Sequence, residues 1–127
     1  MNYTTDKQEK YTILKLEEEK LDSTVSPDIK SEFIQLHTDG TKNIILDLSS
    51  VKYSDSSGLS ALLVGNRLFN ETKGAFVLTE VSDHVMKLIK ISMLDKVLDI
   101  LPTIAESVDA VLLHEIETSL NEEQEED

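Results

Sequence analysis

Apolar and polar positions along the chain alternate with two periods, and the switches between them divide it into elements. Residues 11–17 carry apolar groups at Tyr11, Ile13 and roughly every second position, which predicts a strand with one buried face. Ser26-Pro27-Asp28 then opens a helix: Ser26 can cap it, and proline is tolerated in a first turn. Ile29, Phe33, Ile34 and Leu36 follow at helical spacing, and Gly40 closes the unit. Residues 43–48 hold the run Ile44-Ile45-Leu46, which predicts a strand covered on both faces. After the small polar residues Tyr53-Ser54-Asp55-Ser56-Ser57-Gly58, a helix carries Leu59, Leu62, Leu63, Leu68 and Phe69, and Gly74 ends it.

A second buried strand spans residues 75–79. Ser82 or Asp83 caps a helix with Val85, Met86, Leu88 and Ile89 on its apolar side. A short strand over 97–101 stops at Pro102, and a last helix over 104–120 turns Val108, Val111, Leu112 and Ile116 inward. Strands alternating with helices predict an α/β fold built from βαβ units around a mostly parallel sheet. With no internal repeat and no separating linker, one domain is expected over 11–120. A flexible N-terminus over 1–10 precedes it, and an acidic, disordered tail over 121–127 follows.

Charge and composition remove several classes of function. Twelve Lys and Arg against 25 Asp and Glu give a formal net charge of −13. Such a chain repels phosphate backbones, so direct nucleic-acid binding is not expected. There are no cysteines, which removes disulfides and thiolate chemistry and suits a reducing cytoplasm. The start, MNYTTDKQEK, lacks the apolar core of a secretory signal. No apolar run approaches the roughly 20 residues that cross a bilayer, so no membrane insertion is expected.

Phosphate-binding loops and nucleophile elbows are missing too. His37, His84 and His114 stand apart, without partners at ligand spacing. The carboxylates are scattered over helix faces. These features predict no catalytic residue, no metal and no cofactor, and a binding protein in place of an enzyme.

The turn over 54–58 is the one candidate site. It follows the most buried strand and opens a helix, where open α/β sheets place functional groups. Two hydroxyls and a carboxylate meet the unpaired N–H groups of a helix start there. Asp55 or Ser56 can serve as the cap, which leaves one serine to spare. Gly58 has no side chain, so another backbone can come close.

Asp55-Ser56-Ser57-Gly58-Leu59, with Ile44-Ile45-Leu46-Asp47-Leu48 before it and Leu62-Leu63 and Arg67 after it, resembles the signature of STAS-domain proteins. Bacterial anti-sigma-factor antagonists are the best-known stand-alone members. The similarity runs over about residues 10–117 and includes Leu21-Asp22, the Gly74 turn and Ile91-Ser92-Met93-Leu94-Asp95-Lys96-Val97.

It implies a single domain with a mixed, mostly parallel sheet and helices packed mainly on one face. It also implies a phosphorylation switch. The first serine of the motif, here Ser56, is the phosphoacceptor of a partner that is both serine kinase and anti-sigma factor. A phosphatase resets it. By the same match Asp22, Ser23, Asp55, Ser57, Gly58 and Leu59 form the partner-binding surface. The alternative within the family is an accessory or scaffold subunit of a lipid or anion transport system, without a phosphate cycle. Two positions depart from the family pattern. No glycine stands just before Asp22, where the chain reads Glu17-Glu18-Glu19-Lys20-Leu21, and Met93 replaces a common glycine.

Overall fold

The computed structural model describes the backbone of residues 1–126 and the side-chain surroundings of residues 1–122. Its strands are β1 (Tyr3–Lys7), β2 (Thr12–Leu16), β3 (Lys20–Leu21), β4 (Ile44–Asp47), β5 (Tyr53–Ser54), β6 (Phe76–Thr79) and β7 (Asp99–Leu101). Its helices are α1 (Ser26–Thr38), α2 (Ser56–Glu71), α3 (Asp83–Ile91) and α4 (Ile104–Glu126), with one 3₁₀ turn at Leu94–Lys96. Five strands form the main sheet in the order β1-β2-β4-β6-β7. β1 is antiparallel to β2, and the other neighbours are parallel. The sheet is therefore mixed and mostly parallel. β3 and β5 pair separately, in parallel, with Leu21 opposite Ser54.

The central strands are buried at every position, as their continuous apolar runs require. Alternation then divides their side chains between two layers. Leu14, Leu16, Ile44, Leu46, Phe76 and Leu78 face a large core built with α1, α2 and α3. Ile45, Ala75 and Val77 face the other way, onto Val111 of α4. Three helices thus cover one face and a single helix covers the other. Asn43 ties the two layers at the head of β4. Its side chain donates to the Lys10 carbonyl at 2.8 Å and to Glu115 Oε2 at 3.0 Å, and it accepts from the Ala75 N–H at 2.8 Å.

Four expectations are corrected. The segment 1–10 is not a flexible lead: it contributes β1, whose register pairs Tyr3 with Leu16 and Lys7 with Thr12. All five β1 residues are exposed, so no apolar alternation announced the strand, which is held by main-chain pairing. The acidic segment read as a disordered tail continues α4 through Glu126, in keeping with the high helix propensity of Glu and Gln, while Asp127 lies outside the described residues. On α4, Leu112 and Ile116 point outward, 38% and 58% exposed. Ser107 and Thr118 take the inner face with Val111. Their hydroxyls are satisfied within the helix, on the Thr103 and His114 carbonyls. Finally, Ser26 does not cap α1; it is buried within the first turn, and its hydroxyl donates to the Asp22 carbonyl at 2.7 Å.

Met93 follows α3 with φ 61°, the left-handed conformation that glycine adopts without a Cβ penalty. Its side chain is 57% exposed, so little packing would be lost on truncation. Met93→Gly is therefore expected to stabilise the fold by about 1 kcal/mol. Thermal unfolding should show a rise of a few degrees in the midpoint.

Candidate functional site

Two loops meet at the carboxyl end of the sheet. One joins β3 to α1 and carries Asp22, Ser23 and Thr24; the other joins β5 to α2 through Asp55, with Ser56 and Ser57 in the first turn of α2. The β3–β5 pairing brings them together. At its end the Asp55 N–H donates to the Leu21 carbonyl at 3.3 Å, and the buried Ser54 hydroxyl donates to the same oxygen at 3.0 Å.

Gly58 makes this approach possible. A Cβ on Gly58 would lie 2.0 Å from the Leu21 carbonyl oxygen and 2.4 Å from Ser54 Oγ. The backbone that comes close to Gly58 is the chain's own β3. Leu59 is likewise buried, as part of the main core.

The acidic cap has a definite arrangement. Asp55 is the N-cap of α2 in extended conformation, and its Oδ1 accepts from the Gly58 N–H at 3.0 Å and from Ser57 Oγ at 2.6 Å. The Ser57 hydrogen bond, then that of Gly58, holds the Asp55 carboxyl below its ordinary value, with smaller help from the Ser23 and Ser57 N–H groups and against desolvation. Asp22 is lowered chiefly by the Thr24 hydroxyl at 2.6 Å and the Thr24 N–H at 3.0 Å, while the charge of Asp55 works against it. Both groups are depressed, so their ionised forms favour the folded arrangement. That contribution is present above the ordinary carboxyl range and fades as pH falls through the lowered values.

The two serines of the turn are now distinct. Ser57 is half-buried and committed: its hydroxyl donates to Asp55 and lies 3.4 Å from Ser26 Oγ. Ser56, the first helical residue, is exposed, and its hydroxyl has no hydrogen-bond partner among the described residues. Asp22 is half-buried and Ser23 is exposed at the same surface. The structure thus brings Asp22, Ser23, Asp55, Ser56 and Ser57 to one patch and puts Gly58 and Leu59 beneath it.

Sequence reasoning saw Ser26 only as a cap and Ser54 only as a turn residue, and missed that their buried hydroxyls fasten the two segments together. Only long-range pairing reveals them, because a serine beside a turn reads equally well as a local cap.

Among the described residues no group of His, Asp and Glu has metal-binding geometry, and no helix is long and apolar enough to cross a membrane.

Known proteins resemble this chain in sequence or in fold. The anti-sigma-B factor antagonist of Staphylococcus aureus is 28% identical over 92 residues, which cover 72% of this chain and 84% of that protein. Among solved structures, a putative anti-sigma factor antagonist from Thermotoga maritima superposes with a TM-score of 0.78 at 23% identity, over 86% of this chain and 93% of its own. The Bacillus cell fate determinant SpoIIAA, in its phosphorylated form, gives a TM-score of 0.66 at 20% identity over 87% and 99%. These two structural likenesses speak for the fold. The STAS-domain family profile matches residues 2–110, the whole sheet and all the elements around the Asp55–Gly58 turn, and this chain belongs to the STAS-domain family.

Proposed function

We propose that this chain is an anti-sigma-factor antagonist that binds a serine-kinase anti-sigma factor and is released when Ser56 is phosphorylated. The observation that carries the reading is the split between the two serines. Ser57 is engaged by the Asp55 cap, while Ser56 offers an exposed, unengaged hydroxyl at the start of a helix. The name of the Staphylococcus relative and the phosphorylated form of the Bacillus structure support it.

In this scheme Ser56 Oγ takes the γ-phosphoryl group of ATP, its proton passes to a base of the kinase, and ADP leaves. A phosphatase returns the hydroxyl by hydrolysis. Asp22, Ser23, Asp55 and Ser57 form the surface that the partner covers, and buried Gly58 and Leu59 hold it in shape.

Phosphate adds about −1.5 to −2 charges at neutral pH. At the first turn of α2 the free N–H groups and the helix dipole favour an anion, so the fold tolerates the group. Asp55 and Asp22 stand close by and give the patch a negative field. A partner packed over Ser56 therefore loses complementarity by bulk and by charge, which changes binding and spares the domain.

The direct test incubates the protein with its cognate kinase and ATP and maps the labelled residue by mass spectrometry. Label is expected on Ser56, absent from Ser56→Ala and retained in Ser57→Ala. Normal labelling of Ser56→Ala would reject the assignment.

A further inference from the structure

α4 is apolar on two sides where the domain needs only one. Its inner face is buried on the sheet at Val111. On the side turned away, Leu112, Leu113, Ile116 and Leu120 are 38%, 56%, 58% and 52% exposed. At about 100° per residue, these four fall within an arc of roughly 100°, a continuous stripe along the helix. Single exposed leucines are ordinary, but a contiguous row of four marks an interaction surface.

The stripe also reaches beyond the domain's own support. Glu115 is fastened to Asn43 at the head of β4, and His114 Nε2 lies 2.8 Å from the Lys73 carbonyl oxygen at the approach to β6. Ile116 and Leu120 therefore lie past the amino ends of the central strands. Leu113 lines a cleft of about 380 Å³ with Ile100 and Leu101, and Asp99 and Glu117 are part of the same lining.

Charge selects the occupant. No Lys or Arg follows Lys96 in the sequence, and Asp109, Glu106 and Glu117 are exposed in line with the stripe or along one edge of it. A second copy would set these acids against one another, and an anionic membrane would be repelled. A helix with leucine-type side chains on one face and Lys or Arg beside them complements both the stripe and its acidic edge. We propose that the outer face of α4 docks a basic amphipathic helix of a partner protein. This surface lies at the opposite end of the sheet from the Ser56 turn, so the two can be occupied independently.

The test uses a fluorescein-labelled 18-residue peptide with leucines on one helical face and lysines and arginines elsewhere. A scrambled peptide of the same composition is the control, and both are titrated with the full chain by fluorescence anisotropy at about 150 mM salt, where long-range charge effects are screened. The amphipathic peptide should bind at least ten-fold tighter than its scrambled form. The Leu113→Ser, Ile116→Ser, Leu120→Ser variant should lose that margin, with Ile116→Lys as a single-site check should the triple variant lose its helical circular dichroism. Ser56→Asp should bind the peptide as the parent does, which separates this test from the phosphorylation reading. Equal affinity for the two peptides would overturn the proposal, as would binding undiminished by both stripe variants. So would a parent dimer in sedimentation equilibrium that the stripe variants abolish, because a second copy would then be the occupant.

Discussion

Gly58→Ala is expected to lower the midpoint of thermal unfolding by roughly 10 °C, the fall that follows from about 3 kcal/mol in a domain of this size. Inside a helix this exchange ordinarily stabilises by up to about 1 kcal/mol, so the sign itself is diagnostic. The new methyl group would lie 2.0 Å from the Leu21 carbonyl oxygen. That atom is backbone, and no side-chain rotation can clear it. Either β3 moves away from β5 or the first turn of α2 shifts. Both outcomes break the hydrogen bonds from Asp55 N–H and Ser54 Oγ to Leu21, and both separate the Asp22 loop from Ser56. Calorimetry checks the stability loss. Amide exchange should locate it, with Asp55 losing protection before the central strands do. An unchanged midpoint would mean that the two loops are not locked at Gly58.

Ser56→Asp should behave in the opposite way. The midpoint is expected to stay within about 2 °C, because an acid at the first position of a helix gains a few tenths of a kcal/mol from the dipole and meets repulsion of similar size from Asp55 and Asp22. Affinity for the proposed anti-sigma partner is expected to fall about 100-fold or more, equivalent to about 2.7 kcal/mol. The introduced carboxylate must be desolvated beside two existing carboxylates when the partner covers the turn. Isothermal titration with the proposed kinase partner, alongside circular dichroism, reads both quantities at once. Full affinity in Ser56→Asp would remove the charge switch from the proposal. A lowered midpoint would mean that the loss lies in the fold.

These two neighbouring positions illustrate what a local pattern can carry. Asp55-Ser56-Ser57-Gly58 at the start of an apolar-periodic helix predicted a cap with one hydroxyl in excess. The pattern could not say which serine was free, because both are within reach of the same N–H groups. The choice rests on Ser57 Oγ, which is bound to Asp55 Oδ1 at 2.6 Å and neighbours Ser26 from a helix 31 residues earlier. Likewise, the room left at Gly58 was legible, but its tenant was not. An approaching backbone was expected, and it proved to be the chain's own β3.

The sequence by itself determined the four helices, the buried strands between them, the mostly parallel sheet and the position of the candidate turn. Each of these follows from information held within a few residues: continuous apolar runs for the central strands, helical spacing of leucines, and glycines at 40, 58 and 74. Tertiary structure alone decided what depends on distant partners. Exposed β1 exists because β2 pairs with it, and its own side chains do not encode a buried face. α4 carries apolar residues on both sides, so its periodicity could not choose between them. Packing chose the narrower face of Val111, Ser107 and Thr118, whose small side chains and self-satisfied hydroxyls allow close contact with the sheet. That choice turned Leu112, Leu113, Ile116 and Leu120 outward, and so created the second surface on which this protein can be read.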